Sequence, residues 1–228
     1  VAGGAMLLAP VAALPLALLI AGGWAALRWL AMPPLLVAAL VLVGLTLATR
    51  GLHLDGMADT CDGLAASYDR SRALAVMRTG DVGPAGLAAV VLVLLVQAAA
   101  LSELLTTAPG AALAGAAVVT SRHTLAWCCR VGVPAARPEG LGATVAGTVA
   151  PRYAVGSTLV LAALAGAAIQ PLGMPWWAGP VAVVVGILAA LTIVGRARRR
   201  LGGVTGDILG ASVELSLTAA LVAATVLH

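Results

Sequence analysis

Long apolar runs fill most of this 228-residue sequence, and they limit what it can fold into. Each run is rich in Ala, Leu and Val and lacks the alternation of apolar and polar residues found in barrel strands. Lipid tolerates only helices or closed barrels, and a helix needs about 20 apolar residues to cross. We therefore expect an all-α, polytopic transmembrane helical bundle of about seven spans, near residues 5–27, 34–49, 84–105, 110–129, 153–171, 177–194 and 207–227.

Composition agrees with this interpretation. Only 10% of the residues are charged, 61% are hydrophobic, and the mean hydropathy is +1.07. Soluble domains carry charge on roughly a quarter of their residues, so lipid must cover much of this surface. Little sequence remains outside the spans, and we treat residues 1–228 as a single integral membrane domain. The sequence shows no cleavable signal peptide, and its start at Val1 rather than Met leads us to expect a short preceding segment.

The arginines predict the orientation. All 13 basic residues are arginine, and eleven lie on three alternating loops, which hold Arg50, Arg70, Arg72 and Arg78, then Arg130, Arg137 and Arg152, then Arg196, Arg198, Arg199 and Arg200. Positively charged loops stay in the cytoplasm, so we expect a site on these loops to face the cytoplasm. Abundant Ala and Gly and the absence of Phe are typical of a GC-rich bacterial genome. This favours a multi-pass protein of a bacterial cytoplasmic (inner) membrane.

The first arginine-rich loop is also the most acidic part of the chain. Asp55, Asp59 and Asp62 stand at i, i+4 and i+7, so on a helix they would share one face. Three carboxylates on one face repel each other unless a cation lies between them, and hard oxygen ligands suit Mg²⁺ or Mn²⁺. Asp55 and Asp62 would lie about 10 Å apart on a straight helix, so either two metals bind or Gly56 and Gly63 mark bends. The alternative is an ordinary solvated loop whose acids pair with nearby arginines.

Other polar residues complete a candidate phosphate site. Arg72 and Arg78 follow the aspartates, and a guanidinium fork binds phosphate oxygens through two hydrogen bonds. His53 precedes the aspartates, and the loop from Ala136 to Thr148 adds Arg137 and Gly140 as candidate ligand contacts. Near the C-terminus, Asp207 and Glu214 lie at i and i+7 on one helix face, and acids that enter a span usually have a function. Gly202, Gly206 and Gly210 form a small-residue ridge that permits close helix packing.

Four sequence blocks carry a resemblance to a known family. The blocks LHLDGMADTCDG, VMRTGDVGPAG, RPEGLGA and GGVTGDILGASVEL resemble the cobalamin synthases, the adenosylcobinamide-GDP ribazoletransferases, in order and over nearly the whole chain. The resemblance implies a Mg²⁺-dependent phosphotransferase. A hydroxyl of α-ribazole, or of its 5′-phosphate, attacks adenosylcobinamide-GDP, and GMP leaves as adenosylcobalamin or its phosphate forms. Where many relatives have Lys-Asp-Ser-Arg, this chain has Arg78-Thr79-Gly80-Asp81, and Leu217 replaces a frequent Glu.

These observations combine into one set of predicted roles. We expect a divalent metal, Mg²⁺ or Mn²⁺, to be held by Asp55, Asp59, Asp62 and Asp207. The predicted catalytic residues are Asp59, Asp62 and Glu214, and the predicted substrate-binding residues are His53, Arg72, Arg78, Arg137 and Gly140. The predicted partners are the two small-molecule substrates and the lipid bilayer, with no nucleic acid and with the oligomeric state left open.

Two other classes of protein remain as alternatives. A CDP-alcohol phosphotransferase also uses aspartates at a cytoplasmic membrane face, but it expects DGxxAR followed by GxxxDxxxD. Here the chain reads DGMADT, which lacks that Arg, and the later pattern is absent. A non-enzymatic transporter would show repeated halves with broken helices and polar residues near the midplane. In this chain the acids cluster beside the loops predicted to be cytoplasmic.

Overall fold

Helices account for nearly all of the fold, and prolines mark several of their starts. The computed structural model describes residues 1–228 and contains α1 (Ala2–Ala12), α2 (Leu14–Leu30), α3 (Pro34–Ala48), α4 (Leu52–Ala66), α5 (Arg70–Val76), α6 (Pro84–Leu104), α7 (Ala108–Cys128), α8 (Leu141–Val145), α9 (Pro151–Ile169), α10 (Ala178–Leu201) and α11 (Gly206–Leu227). Proline is the first residue of α3, α6 and α9, where its fixed φ suits a helix and its missing N–H costs nothing. Gly202, in the left-handed conformation with φ 78°, ends α10.

The predicted transmembrane helical bundle is confirmed. Five helical segments are long and apolar enough to cross a membrane, namely Ala2–Leu30, Pro84–Leu104, Pro151–Leu172, Ala178–Leu201 and Gly206–Leu227. The bent pair α3 and α4 would make a sixth. The remaining predicted span, 110–129, corresponds to α7, which has the length of a span but carries the polar run Thr120–Thr124. All five residues of that run are buried, so α7 is enclosed by protein and does not need an apolar surface.

Helix α11 lies at the centre of the bundle. It packs against α4, α6, α7 and α10, and more than half of its residues are buried. Small residues make this possible: a Cβ atom at Gly186 of α10 would come 3.0 Å from the Ser216 hydroxyl oxygen. Membrane helices associate through such close packing because lipid gives no hydrophobic drive between them. The central position of α11 brings its two acids, Asp207 and Glu214, into the interior of the protein.

The predicted acidic loop is in fact mostly helical. Helix α4 carries the three aspartates, and its axis turns by 88° from α3. The turn lies at Arg50 and Gly51, which have φ values of 54° and 71°. The predicted bends at Gly56 and Gly63 are therefore wrong, because α4 runs through both positions. These glycines serve close packing: a Cβ atom at Gly63 would overlap the Met77 side chain beside α5.

The three arginine-rich segments meet at one end of the bundle. Short backbone bridges join Arg130 to Val149 and Ala135 to Val204. Side-chain hydrogen bonds link the segments, from Arg70 to the Ala136 carbonyl (2.9 Å), from Arg137 to the Leu74 carbonyl (2.8 Å) and from Arg200 to the Ser67 carbonyl (2.8 Å). The common side that the arginine pattern predicts for these segments is thus present in the fold.

Candidate active site

The site begins where two helices cross with their backbones in contact. A Cβ atom at Gly56 of α4 would lie 2.6 Å from the carbonyl oxygen of Asp207 of α11. One turn further along α11, a Cβ atom at Gly210 would lie 3.2 Å from the Cα of His53. Real Cβ atoms essentially never come as close as the 2.6 Å at Gly56, and the 3.2 Å at Gly210 is tighter than most Cβ contacts. The crossing brings Asp207 to the helix that carries Asp55 and Asp59.

The side chain of Arg137, in the loop that precedes α8, forms one edge of the site. Arg137 lies 3.7 Å from the Asp207 carboxylate and donates a hydrogen bond of 2.8 Å to the carbonyl oxygen of Leu74. Burial lowers the pKa of the Arg137 guanidinium, and the nearby Asp207 carboxylate opposes that shift. The Thr205 hydroxyl donates to the same carboxylate at 3.1 Å and accepts from the Ile208 amide at 3.3 Å, which caps α11. Arg137 is therefore fixed by contacts to both α5 and α11.

Asp55, Asp59 and Asp207 form a group that we call the aspartate cluster. Asp59 is repelled by Asp55, by Asp207 and more weakly by Asp62, and Arg137 partly offsets this repulsion. The charge of Arg78 acts on both Asp207 and Arg137, so this arginine lies within electrostatic range of the cluster. Asp55 is exposed, whereas Asp59 and Asp207 are partly buried. The cluster is thus an accessible acidic surface with two arginines at its edge.

Asp62 behaves differently from the other aspartates. Its carboxylate oxygens accept hydrogen bonds from the amides of Gly83 (2.7 Å) and Gly86 (2.8 Å) at the start of α6, and its exposed fraction is 8%. Because α6 has no cap from its own N-cap residue, Asp62 satisfies amides that would otherwise be unpaired. Its predicted roles as metal ligand and catalytic residue stay predictions, and either role would use the lone pairs that the two amides leave free. The sequence signal for this contact is the Gly83-Pro84 helix start.

Glu214 lies apart from the aspartate cluster, in a polar chamber deeper in the bundle. We use the term inner chamber for the space lined by Thr46, Thr49, Gln97, Arg122 and Glu214 together with several leucines. Gln97 donates to the Glu214 carboxylate at 3.0 Å and to the Thr218 hydroxyl at 3.0 Å. Arg122 attracts Glu214 electrostatically without direct contact, since the one ion pair within 4 Å in this protein is that of Arg137 with Asp207. The sequence predicts that Arg122 faces the interior of the bundle, because charge is costly in lipid, but it indicates no role for Gln97.

The remaining predicted residues, His53, Gly140 and Arg72, lie in three different places. His53 on α4 is close enough to Arg122 to be affected by its charge, and its Nδ1 atom is buried without a hydrogen-bond partner. Gly140, with φ 86°, immediately precedes α8 in the loop that carries Arg137. Arg72 lies beside Asp69, which caps α5. Hydrogen bonds from the Ser71 hydroxyl and the Arg72 amide lower the pKa of the Asp69 carboxyl.

The aspartate cluster suits a metal ion that arrives with its substrate. No three Asp, Glu, His or Cys side chains lie close enough to hold an ion by themselves. Mg²⁺ typically uses one or two carboxylates and completes its shell with water and substrate phosphate oxygens. Asp55 and Asp207 offer hard oxygen donors on the accessible side of the α4–α11 crossing. This donor set fits Mg²⁺ bound together with a diphosphate.

Comparison with known proteins gives consistent matches. The family described as cobalamin-5-phosphate synthase matches residues 1–225. An adenosylcobinamide-GDP ribazoletransferase of Nocardioides sp. is 50% identical over 219 residues, which cover 96% of this chain and 85% of the relative. The enzyme of the same name from Frankia casuarinae is 41% identical over 233 residues (96% and 84%), and that from Shigella boydii serotype 4 is 40% identical over 188 residues (82% and 73%). No solved structure matches the chain.

Proposed function

The chain belongs to the cobalamin-5-phosphate synthase family, and on that basis we propose how its residues carry out the reaction. It is a transferase of cobalamin biosynthesis, of the adenosylcobinamide-GDP ribazoletransferase type. The proposed acceptor is α-ribazole or its 5′-phosphate, and the proposed products are GMP and adenosylcobalamin or its phosphate. The observation that carries the proposal is the crossing of Gly56 and Asp207, which gathers the aspartate cluster beside Arg78 and Arg137.

Arg78 and Arg137 are the proposed ligands of the donor's diphosphate. Planar guanidinium groups bind phosphate oxygens through two parallel hydrogen bonds, and they keep their charge at all physiological pH values. Arg137 is already oriented by the Leu74 carbonyl and by Asp207, so little side-chain freedom remains to be lost when substrate binds. Arg78 is exposed and can follow the phosphates as they enter. Two arginines would offset most of the charge of the diphosphate.

The chemical step is a substitution at phosphorus. The acceptor hydroxyl oxygen attacks the cobinamide-side phosphorus, a new P–O bond forms, and the P–O bond to GMP breaks with its electrons. Asp59 is the proposed base that takes the hydroxyl proton, because it is the carboxylate most closely surrounded by the other acids and it remains partly exposed. A well-placed base contributes about 10²–10⁴-fold in rate.

Mg²⁺ is part of the proposal. When bound, it would neutralise charge on the diphosphate oxygens as the leaving GMP develops negative charge. Asp55 and Asp207 are the residues that would hold it, on the two helices that cross at Gly56. The close backbone packing at that crossing keeps the two carboxylates in a fixed relation, which is what a site for oriented phosphates requires.

The proposed location is the cytoplasmic face of a bacterial inner membrane. Support comes from the eleven arginines on the segments that meet at the same end as the aspartate cluster. The positive-inside rule places such segments in the cytoplasm.

The test is a direct assay of the purified full-length chain in detergent. The protein is incubated with Mg²⁺, adenosylcobinamide-GDP and α-ribazole, and products are followed by mass spectrometry. We expect equal amounts of GMP and of the nucleotide-loop product, and no GMP release when α-ribazole is left out. Absence of both products with either α-ribazole or its 5′-phosphate would contradict the proposal.

A further inference from the structure

An apolar groove opens sideways between α3 and α6, on the face that lipid would cover. Its walls include Leu42, Val43 and Thr46 of α3, Leu94 and Leu95 of α6, and Leu54 of α4. Nine of its ten lining residues are hydrophobic, and the volume open to the centre of a water molecule is about 540 Å³. Pockets for small molecules commonly measure about 300–1,000 Å³. The groove is large enough for a nucleoside.

The groove leads into the inner chamber. Leu42, Thr46, Leu54 and Leu94 line both spaces. The inner chamber is small, with about 10 Å³ open to the centre of a water molecule, so it accommodates one water-sized group. A molecule lying in the groove can therefore insert a hydroxyl group into the chamber, but not a ring.

The polar atoms of the inner chamber are incompletely paired. Arg122 is 6% exposed, and its Nε atom has no hydrogen-bond partner. Across the chamber, Glu214 is also 6% exposed and accepts only from Gln97. A buried donor without a partner costs about 1–3 kcal/mol. Because a hydroxyl both donates and accepts, one such group can satisfy the arginine and the glutamate together.

The charges of the chamber restrict what enters it. Arg122 disfavours a cation and Glu214 disfavours an anion, so a neutral group is favoured. A ligand that fits the whole space has a flat apolar part for the groove and a neutral hydroxyl for the chamber. A lipid acyl chain would fill the groove but would leave Arg122 unpartnered.

We propose that this combined space binds the acceptor nucleoside, with its aromatic base in the groove and a ribose hydroxyl between Arg122 and Glu214. The inference rests on the proposed function, which supplies a nucleoside acceptor. Leu54 adjoins Asp55 on α4, and both residues line a further pocket between α4 and α6. A nucleoside held in the groove thus lies beside Leu54, the residue that precedes Asp55 on α4, and the acceptor enters laterally from the lipid phase.

The test uses a matched pair of tryptophan substitutions on α6. Leu95 lines the groove and is 61% exposed, whereas Leu92 is 62% exposed and lies outside it. In detergent-solubilised full-length protein, Leu95→Trp should raise the KM for α-ribazole by about tenfold, because the larger indole occupies space proposed for the aromatic base. The KM for adenosylcobinamide-GDP should stay at the wild-type value. Leu92→Trp should match wild type for both substrates.

Binding of α-ribazole alone, measured by calorimetry, separates this inference from the proposed function. We expect wild type and Leu92→Trp to bind α-ribazole and Leu95→Trp to bind it at least about tenfold more weakly. If wild type released no GMP but this binding pattern held, the proposed function would fail and the site would stand. If GMP release occurred and Leu95→Trp bound α-ribazole like wild type, the groove would be a lipid site and the inference would be wrong.

Discussion

The backbone of Gly56 lies directly against the backbone of Asp207, so that a Cβ atom at Gly56 would come 2.6 Å from the Asp207 carbonyl oxygen. This contact sets the distance between the two helices that carry the aspartate cluster. A side chain at position 56 would force α4 away from α11 and would separate Asp55 and Asp59 from Asp207. Catalysis by residues on both helices depends on such positioning.

Gly56→Ala should therefore lower activity as well as stability. Overpacking of a tight contact costs about 1–3 kcal/mol, and the displaced carboxylates should reduce GMP release by at least about tenfold. Melting temperature in detergent and initial rate of GMP release measure the two effects. Gly22→Ala is the control, because nothing lies within 4 Å of a Cβ atom there. Wild-type activity of Gly56→Ala would show that the crossing does not set the geometry of the site.

An Asp62→Ala variant can show whether the Asp62 carboxylate holds α6 in place or binds a metal ion. Asp62→Ala leaves the amides of Gly83 and Gly86 without their acceptor, and each hydrogen bond to a charged group contributes about 1.5–3 kcal/mol. We expect a lower melting temperature and an unchanged Mg²⁺ concentration for half-maximal activity. A variant that kept its melting temperature but needed much more Mg²⁺ would identify Asp62 as a metal ligand instead.

Substitution of Arg137 and of Arg72 should affect the KM for adenosylcobinamide-GDP differently. Arg137→Lys keeps the charge but loses the planar fork, so the KM for adenosylcobinamide-GDP should rise by about tenfold, the effect of about 1.4 kcal/mol. Arg72→Lys should have little effect, because Arg72 lies beside Asp69 rather than the aspartate cluster. Steady-state kinetics of the two variants provide the comparison. Equal kinetics for both would remove Arg137 from substrate binding.

Membrane orientation can be tested with cysteine labelling in a background that lacks the native cysteines. Glu139 lies among the arginine-rich segments and Thr106 lies at the opposite end of the bundle, and both are exposed. The positive-inside rule predicts that a membrane-impermeant thiol reagent labels Thr106→Cys, but not Glu139→Cys, in intact cells. In inverted vesicles the pattern should reverse. Labelling of Glu139→Cys in intact cells would place the arginine-rich end outside.

The sequence was sufficient to predict the transmembrane bundle, because the composition of each apolar run determines where it can be stable. It was also sufficient to predict that the arginine-rich segments share one side. The sharp turn at Arg50 and Gly51 was missed, since a short loop and a helix–helix turn have similar local sequences. The cost of charge in lipid predicts that Arg122 and His123 face the interior of the bundle, whereas the burial of more than half of α7 depends on how the other helices pack around it.

Within the candidate site, the roles of the acids depended on contacts distant in the chain. The spacing of Asp55 and Asp59 predicted their common helix, and the acid at position 207 predicted a functional start of α11. The attachment of Asp62 to Gly83 and Gly86, however, depends on how α6 docks against α4. The separation of Glu214 from the aspartate cluster likewise depends on the pairing with Gln97 and the position of Arg122. No spacing rule within one helix contains that information.

The most direct test of the account is the turnover number of Asp59→Asn at saturating Mg²⁺ and saturating substrates. Asn is similar in size to Asp but cannot accept the hydroxyl proton, so GMP release should fall by at least about 100-fold, within the range for loss of a general base. The melting temperature in detergent should stay close to that of wild type, because Asp59 makes no hydrogen bond that holds helices together. A turnover number equal to that of wild type would contradict the assignment of the aspartate cluster as the catalytic centre.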